Sequence, residues 1–181
     1  NTGKGVTILG LGNAILGNSI FQNGNLGINL GFDAVTPNDP CDTDPGQQNF
    51  PVLTSAFSSG AGSTSITGTL ESTLSTEYRI EFFSSPSCDA SGNGEGQTFI
   101  GATTVVIPGN NCVTAVNATL TLNLPPGSVV TATATNLSNN DTSEFSQCVI
   151  VTGFGACTPF CPRDIVRFTS ESSSSCGTVV T

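Results

Sequence analysis

Between Gly5 and Gly31 aliphatic and polar residues fall on a short, regular beat. "GVTIL" begins at Gly5 and "GINLG" at Gly27, so Gly–aliphatic–x–aliphatic recurs after 22 residues. Two shorter steps, "NAILG" and "NSIFQ", lie between, with Asn13, Asn18 and Asn23 alternating with Ile15, Ile20 and Ile28. A helix is disfavoured here, because Gly12, Gly17, Gly24 and Gly27 would each cost roughly 1 kcal/mol against alanine. The beat predicts one coil of a right-handed parallel β-helix over residues 1–32, with Ile and Val pointing inward and Asn at the turns. A pair of ordinary β-hairpins is the competing reading. A single coil cannot bury its own apolar face, so its open edge calls for a neighbour.

From residue 52 to 151 the pattern becomes that of separate strands: 52–57, 64–72, 78–83, 98–106, 115–124, 128–135 and 143–151. Leu120, Leu122 and Leu124 alternate with Thr119, Thr121 and Asn123, as on a half-buried strand. Turn-rich separators such as "SGAGS", "SPSCDASGNGEG" and "NLSNND" divide these runs. The expectation is an all-β chain, with an immunoglobulin-like seven-stranded β-sandwich after the coil. No tryptophan is present, so the antibody-type core signature is missing.

Residues 33–51 read as an acidic, proline-rich linker. Asp39, Asp42 and Asp44, with Asp33 nearby, can offer alternate carboxylates to Ca²⁺, a hard cation that takes six to eight oxygens. A solvated loop of turn-forming Asp and Pro accounts for the same residues. Residues 152–181 form a C-terminal tail in which "DIVRFTS" and "GTVVT" are strand-capable and available for pairing between subunits.

Charge removes whole classes of function. The net charge is −9 with four basic residues, Lys4, Arg79, Arg163 and Arg167. That balance lacks the basic footprint of nucleic-acid binding. It also disfavours adhesion to an anionic membrane. Without histidine, Ser–His–Asp and Cys–His catalysis are excluded. No apolar run is long enough for a membrane helix, and no basic start with an apolar stretch marks a signal peptide. Without any methionine the chain is expected to be processed, or a piece of a longer one. Glu95, in the Gly-rich "GNGEGQ", is the one acid that suggests catalysis, and it is expected to be a solvated turn residue. Asn117, Asn136 and Asn140 head Asn-x-Ser/Thr sequons.

Seven scattered cysteines in such a chain point to disulfides and an oxidising, extracellular setting. If strands alternate in direction, Cys88 and Cys148 lie at one end and Cys41 and Cys112 at the other. Those two pairings are expected, leaving Cys157, Cys161 and Cys176 in the tail and one thiol unmatched.

The stretches "GNAILGNSIFQNGNLGINLG", "TPNDPCDTDPGQQNFPVLTSA", "YRIEFFSSPSCDASGNGEGQTFIGATTV" and "VVTATATNLSNNDTSEFSQC" resemble the C-terminal end of large secreted bacterial right-handed parallel β-helix repeat proteins. There the last coil runs into an Ig-like module. The resemblance spans residues 5–148. It implies an extracellular or cell-surface location, a structural or adhesive role and no catalytic residues.

The expected function is that of an extracellular structural protein rather than an enzyme: a subunit of a filament or sheath, a homopolymer joined by β-strand pairing at both ends. A terminal fragment of a large cell-surface adhesin is the first alternative. A carbohydrate-binding or degenerate polysaccharide-lyase module is the second, weakened by the lack of Trp and by a single tyrosine, Tyr78. No cofactor other than Ca²⁺ is expected, and no nucleic acid or membrane insertion.

Overall fold

The computed structural model describes residues 1–31 and 34–153. Among them there is no helix. Nine strands are formed: β1 (Val6–Ile8), β2 (Ile28–Leu30), β3 (Val52–Ser58), β4 (Thr64–Glu71), β5 (Glu77–Ser85), β6 (Thr98–Val106), β7 (Val113–Leu120), β8 (Val129–Asn136) and β9 (Val149–Gly153). The strand-capable stretches of the tail, Cys157, Cys161, Cys176 and Asp33 lie outside the described residues.

β1 and β2 pair in parallel, Val6 opposite Ile28 and Ile8 opposite Leu30. The register is the 22-residue recurrence of the sequence, and Asn1 repeats it by donating its side-chain amide to Asn23 Oδ1 at 3.0 Å. The remaining strands form one sheet in the order β6-β5-β8-β9-β3-β4-β7. β9 turns the corner: its start pairs antiparallel with β8 and its end runs parallel to β3. The outer strands come together on the far side, where Gly101 of β6 leaves room for Leu120 of β7. The sheet therefore closes nearly into a barrel around Ile66, Leu70, Tyr78, Ile80, Phe82, Val116, Val130 and Val151.

Two predicted strands differ from what forms. The ladder of β7 ends at Leu120 rather than at residue 124. Thr64 Oγ1 donates to the carbonyl of Leu122 and accepts the amide of Leu124, so one hydroxyl replaces the ladder before Pro125 and Pro126. Leu120 and Leu124 are still buried. The last strand starts at Val149, not at residue 143. Ser143 and Ser146 instead turn their hydroxyls to the amides of Ala134 and Ala132 along β8. A side-chain acceptor at each site satisfies these amides without a paired strand.

Both faces of β8 are buried. Val130, Ala132 and Ala134 face the core, while Thr131, Thr133 and Thr135 lie on the opposite face, where Glu81 and Phe83 of β5 also project. A second apolar cluster sits there: Ile20, Ile28, Phe83 and Phe145, with Val6, Ile8 and Ile15 against it. The N-terminal segment is thus packed on the outside of the larger sheet.

Candidate functional site

The N-terminal segment is held by an unusual set of acceptors. Its amides donate, one after another, to side chains of the larger body: Gly12 to Asp141 Oδ1 at 2.6 Å, Ile15 to Thr142 Oγ1 at 3.0 Å and Gly17 to Glu81 Oε2 at 2.6 Å. Asn23 donates its backbone amide to Glu95 Oε2 at 3.2 Å and its side-chain amide to Glu95 Oε1 at 2.6 Å. Glu144 receives Leu30 at 2.9 Å on one oxygen and Thr36 at 2.8 Å on the other. Ile20 and Gly96 exchange both backbone bonds at 2.9 Å.

An ionised carboxylate is acceptor-only and makes charge-assisted bonds to N–H groups. It can therefore replace the carbonyl that a further strand would have offered. Glu81 is 1% exposed, Glu144 2%, Glu95 7% and Asp141 7%. Charges so buried are costly unless fully bonded, and both oxygens of Glu81, Glu95 and Glu144 are engaged. Glu81 completes its set with Arg79 Nε at 2.8 Å. Glu95 is therefore no solvated turn residue: it ends a ladder running Asn1, Asn23, Glu95.

The acceptors come from three places that the fold locks together. Glu81 stands on β5, Glu95 in the loop between β5 and β6, and Asp141, Thr142 and Glu144 in the segment before β9. The disulfide Cys88–Cys148, with Cα atoms 5.9 Å apart, ties the Glu95 loop to the Glu144 segment. Asn93 adds a bond to the carbonyl of Phe145 at 3.2 Å. The ring of Phe145 lies edge-on to Phe83, with centroids 5.3 Å apart. Gly96 admits it: a Cβ there would stand 2.6 Å from Phe145 and 2.8 Å from Phe83. The stretch "DTSEFS" thus alternates between two tasks, with Asp141, Thr142 and Glu144 holding the N-terminal segment and Ser143 and Ser146 bonding β8.

Burial is one-sided. All three residues of β2 are buried, whereas Thr7 in the middle of β1 is exposed. β1 is the outer strand of its pair, and no strand lies beyond it among the described residues. Leu9 and Leu11 are 65% and 66% exposed, and Leu16 and Phe21 are exposed as well.

The second disulfide joins Cys41 to Cys112, Cα atoms 5.1 Å apart, and fixes the acidic loop to the start of β7. That loop is further anchored by Asn49, whose side-chain amide reaches the carbonyls of Asp39 and Glu71. Asp39, Asp42 and Asp44 come together, with one carboxylate oxygen of each within 4.8 Å of the others. Asp39 accepts the amide of Thr43 at 3.0 Å together with its hydroxyl, and these bonds hold its carboxyl below the usual range. Asp42 accepts Asn49 N at 3.1 Å and the hydroxyl of Ser72. Burial pushes Asp42 up, with the charges of Asp39 and Asp44 adding to it. Burial and then the charge of Asp39 push Asp44 up. Its Oδ1 is buried without a hydrogen-bond partner. The donor chemistry is that used by a hard cation, while hydrogen bonds within the loop account for the placing of Asp39 and Asp42.

Tyr78 is fully buried, with its hydroxyl 2.8 Å from Ser72 Oγ, so its ring is no exposed sugar platform. Asn136, one of the sequon residues, is also buried and accepts the amide of Ser138 at 2.8 Å.

No family model and no curated protein matches the chain. Among solved structures it is similar to a biofilm associated protein, BSP domain, at 21% identity and a TM-score of 0.36. The similarity covers 61% of this chain and 15% of that one, and at that TM-score it carries no functional assignment.

Proposed function

We propose that the chain is an extracellular structural module that terminates a stack of parallel β-coils. The carrying observation is the asymmetry of the β1–β2 pair. Glu144 bonds β2, and Asp141, Glu81 and Glu95 bond the segment between the two strands, whereas no strand pairs with the outer edge of β1 among the described residues. Residues 1–31 are read as the last coil, because backbone pairing and the Asn1–Asn23 contact share one 22-residue step. The larger sheet is read as an Ig-like sandwich, its two halves meeting at β9. A strand from a further coil supplies what β1 lacks. The two disulfides and the net charge of −9 support an oxidising, extracellular setting.

Two sources can provide that strand: another copy, giving a head-to-tail filament or sheath, or a coil of a larger surface adhesin. Strand alternation turns the Thr7 amide away from β2, since Val6 N bonds Gly27 O at 2.8 Å. Thr7→Pro therefore removes the outward donor alone. Sedimentation and electron microscopy of the full chain then divide the sources. Assemblies lost in Thr7→Pro support pairing between copies. A monomer that gains thermal stability when a 22-residue coil is grafted upstream supports the adhesin. A monomer indifferent to the graft contradicts the proposal.

A further inference from the structure

We propose that Lys4 and Asn29 condense into an intramolecular isopeptide bond that closes the N-terminal coil covalently. Lys4 lies just before β1 and Asn29 is the central residue of β2. Lys4 Nζ stands 2.6 Å from Asn29 Oδ1. A carbonyl bond of about 1.23 Å puts the amide carbon no more than about 3.8 Å from Nζ, close to the roughly 3–3.5 Å of a near-attack conformer. Asn29 is 0% exposed, which keeps water from competing for the same carbon. The leaving nitrogen, Nδ2, points to the carbonyl of Ala34 at 3.4 Å.

The amine must first lose a proton. Lys4, half-buried, releases a proton to solvent, and the freed Nζ lone pair attacks Asn29 Cγ. The tetrahedral carbon then expels Nδ2, which takes up the second Nζ proton and departs as ammonia. One C–N bond forms and one breaks, with no oxidant, reductant or further reactant. Holding amine and amide in contact supplies the effective concentration that makes an otherwise slow exchange proceed once per molecule. The link would tie the segment before β1 covalently to β2, beside the β1–β2 pairing and the Asn1–Asn23 contact. It holds whether or not the bare edge of β1 finds a partner.

Intact mass of the reduced full chain tests the bond directly. The expected mass is lower than that of the sequence by one ammonia. Lys4 is the only lysine, so the expected tryptic digest also leaves residues 1–79 uncut. A full mass together with release of the Asn1–Lys4 peptide overturns the proposal. Lys4→Arg restores the cut and is expected to show the full mass.

Discussion

Glu144 accepts the amide of Leu30 at 2.9 Å across a sequence separation of 114 residues. With its other oxygen on Thr36, it does for β2 what a neighbouring strand's carbonyl would do. The same substitution recurs at Gly12, Gly17 and Asn23. A row of carboxylates thus seals one side of the N-terminal segment and leaves the other available.

Replacing an acceptor-only group by an amide sets a donor against a donor. Glu144→Gln and Glu95→Gln are each expected to cost about 2 kcal/mol, the range of a bond to a charged group. Urea denaturation of the oxidised protein measures it. A change near zero for both would show that the carboxylates do not hold the segment.

The Phe145 socket gives a steric test. Gly96→Ala must displace Phe145 or Phe83, which stand 2.6 and 2.8 Å from the added Cβ. A loss of about 1–3 kcal/mol, usual for overpacking, is expected. At Gly10 a Cβ meets nothing within 4 Å, so Gly10→Ala is expected to be near neutral. Equal thermal shifts for the two variants would contradict the packing described.

Removing Cys88–Cys148 frees a loop with a sequence separation of 60 residues and unclamps Glu95 from Glu144. Chain entropy alone gives about 4 kcal/mol for a loop of this size. The double alanine variant is therefore expected to melt well below the wild type, with the N-terminal amides losing protection first. A uniform loss across the chain would argue against the clamp.

The acidic loop predicts a pH dependence. The folded pKa of Asp42 is raised by burial, so its contribution is most favourable below the ordinary value and is lost as pH rises through the folded one. Asp42→Asn removes that penalty while Oδ1 can still accept Asn49 N. The stability of Asp42→Asn relative to wild type is expected to increase from pH 3 to pH 6. A difference independent of pH would contradict burial of a charged Asp42.

Much of the fold was legible because it rests on local pattern. The Gly–aliphatic–x–aliphatic recurrence gave the register of Val6 on Ile28, and alternation located six of the seven later strands to within a few residues. What stayed hidden depends on side chains bonding distant backbone. "SEFSQ" has strand-like composition, yet Ser143 and Ser146 take the place of a ladder. Glu95 carries no local mark that separates a buried capping carboxylate from a solvated one. A signal did exist in "YRIEFF": if Ile80 and Phe82 face the core, Glu81 must face outward among apolar neighbours. An outward Glu is ordinary by itself, but Phe83 shares that face, and its large apolar ring is what hints at a cover.

The most direct measurement is amide hydrogen exchange, resolved by NMR, on the dilute oxidised protein. The account predicts slow exchange at Gly17, Asn23 and Leu30, whose acceptors are carboxylates, and fast exchange at Thr7, on the bare edge. Leu30 exchanging as fast as Thr7 would contradict the sealed edge, and Thr7 protected in a monomer would contradict the open one.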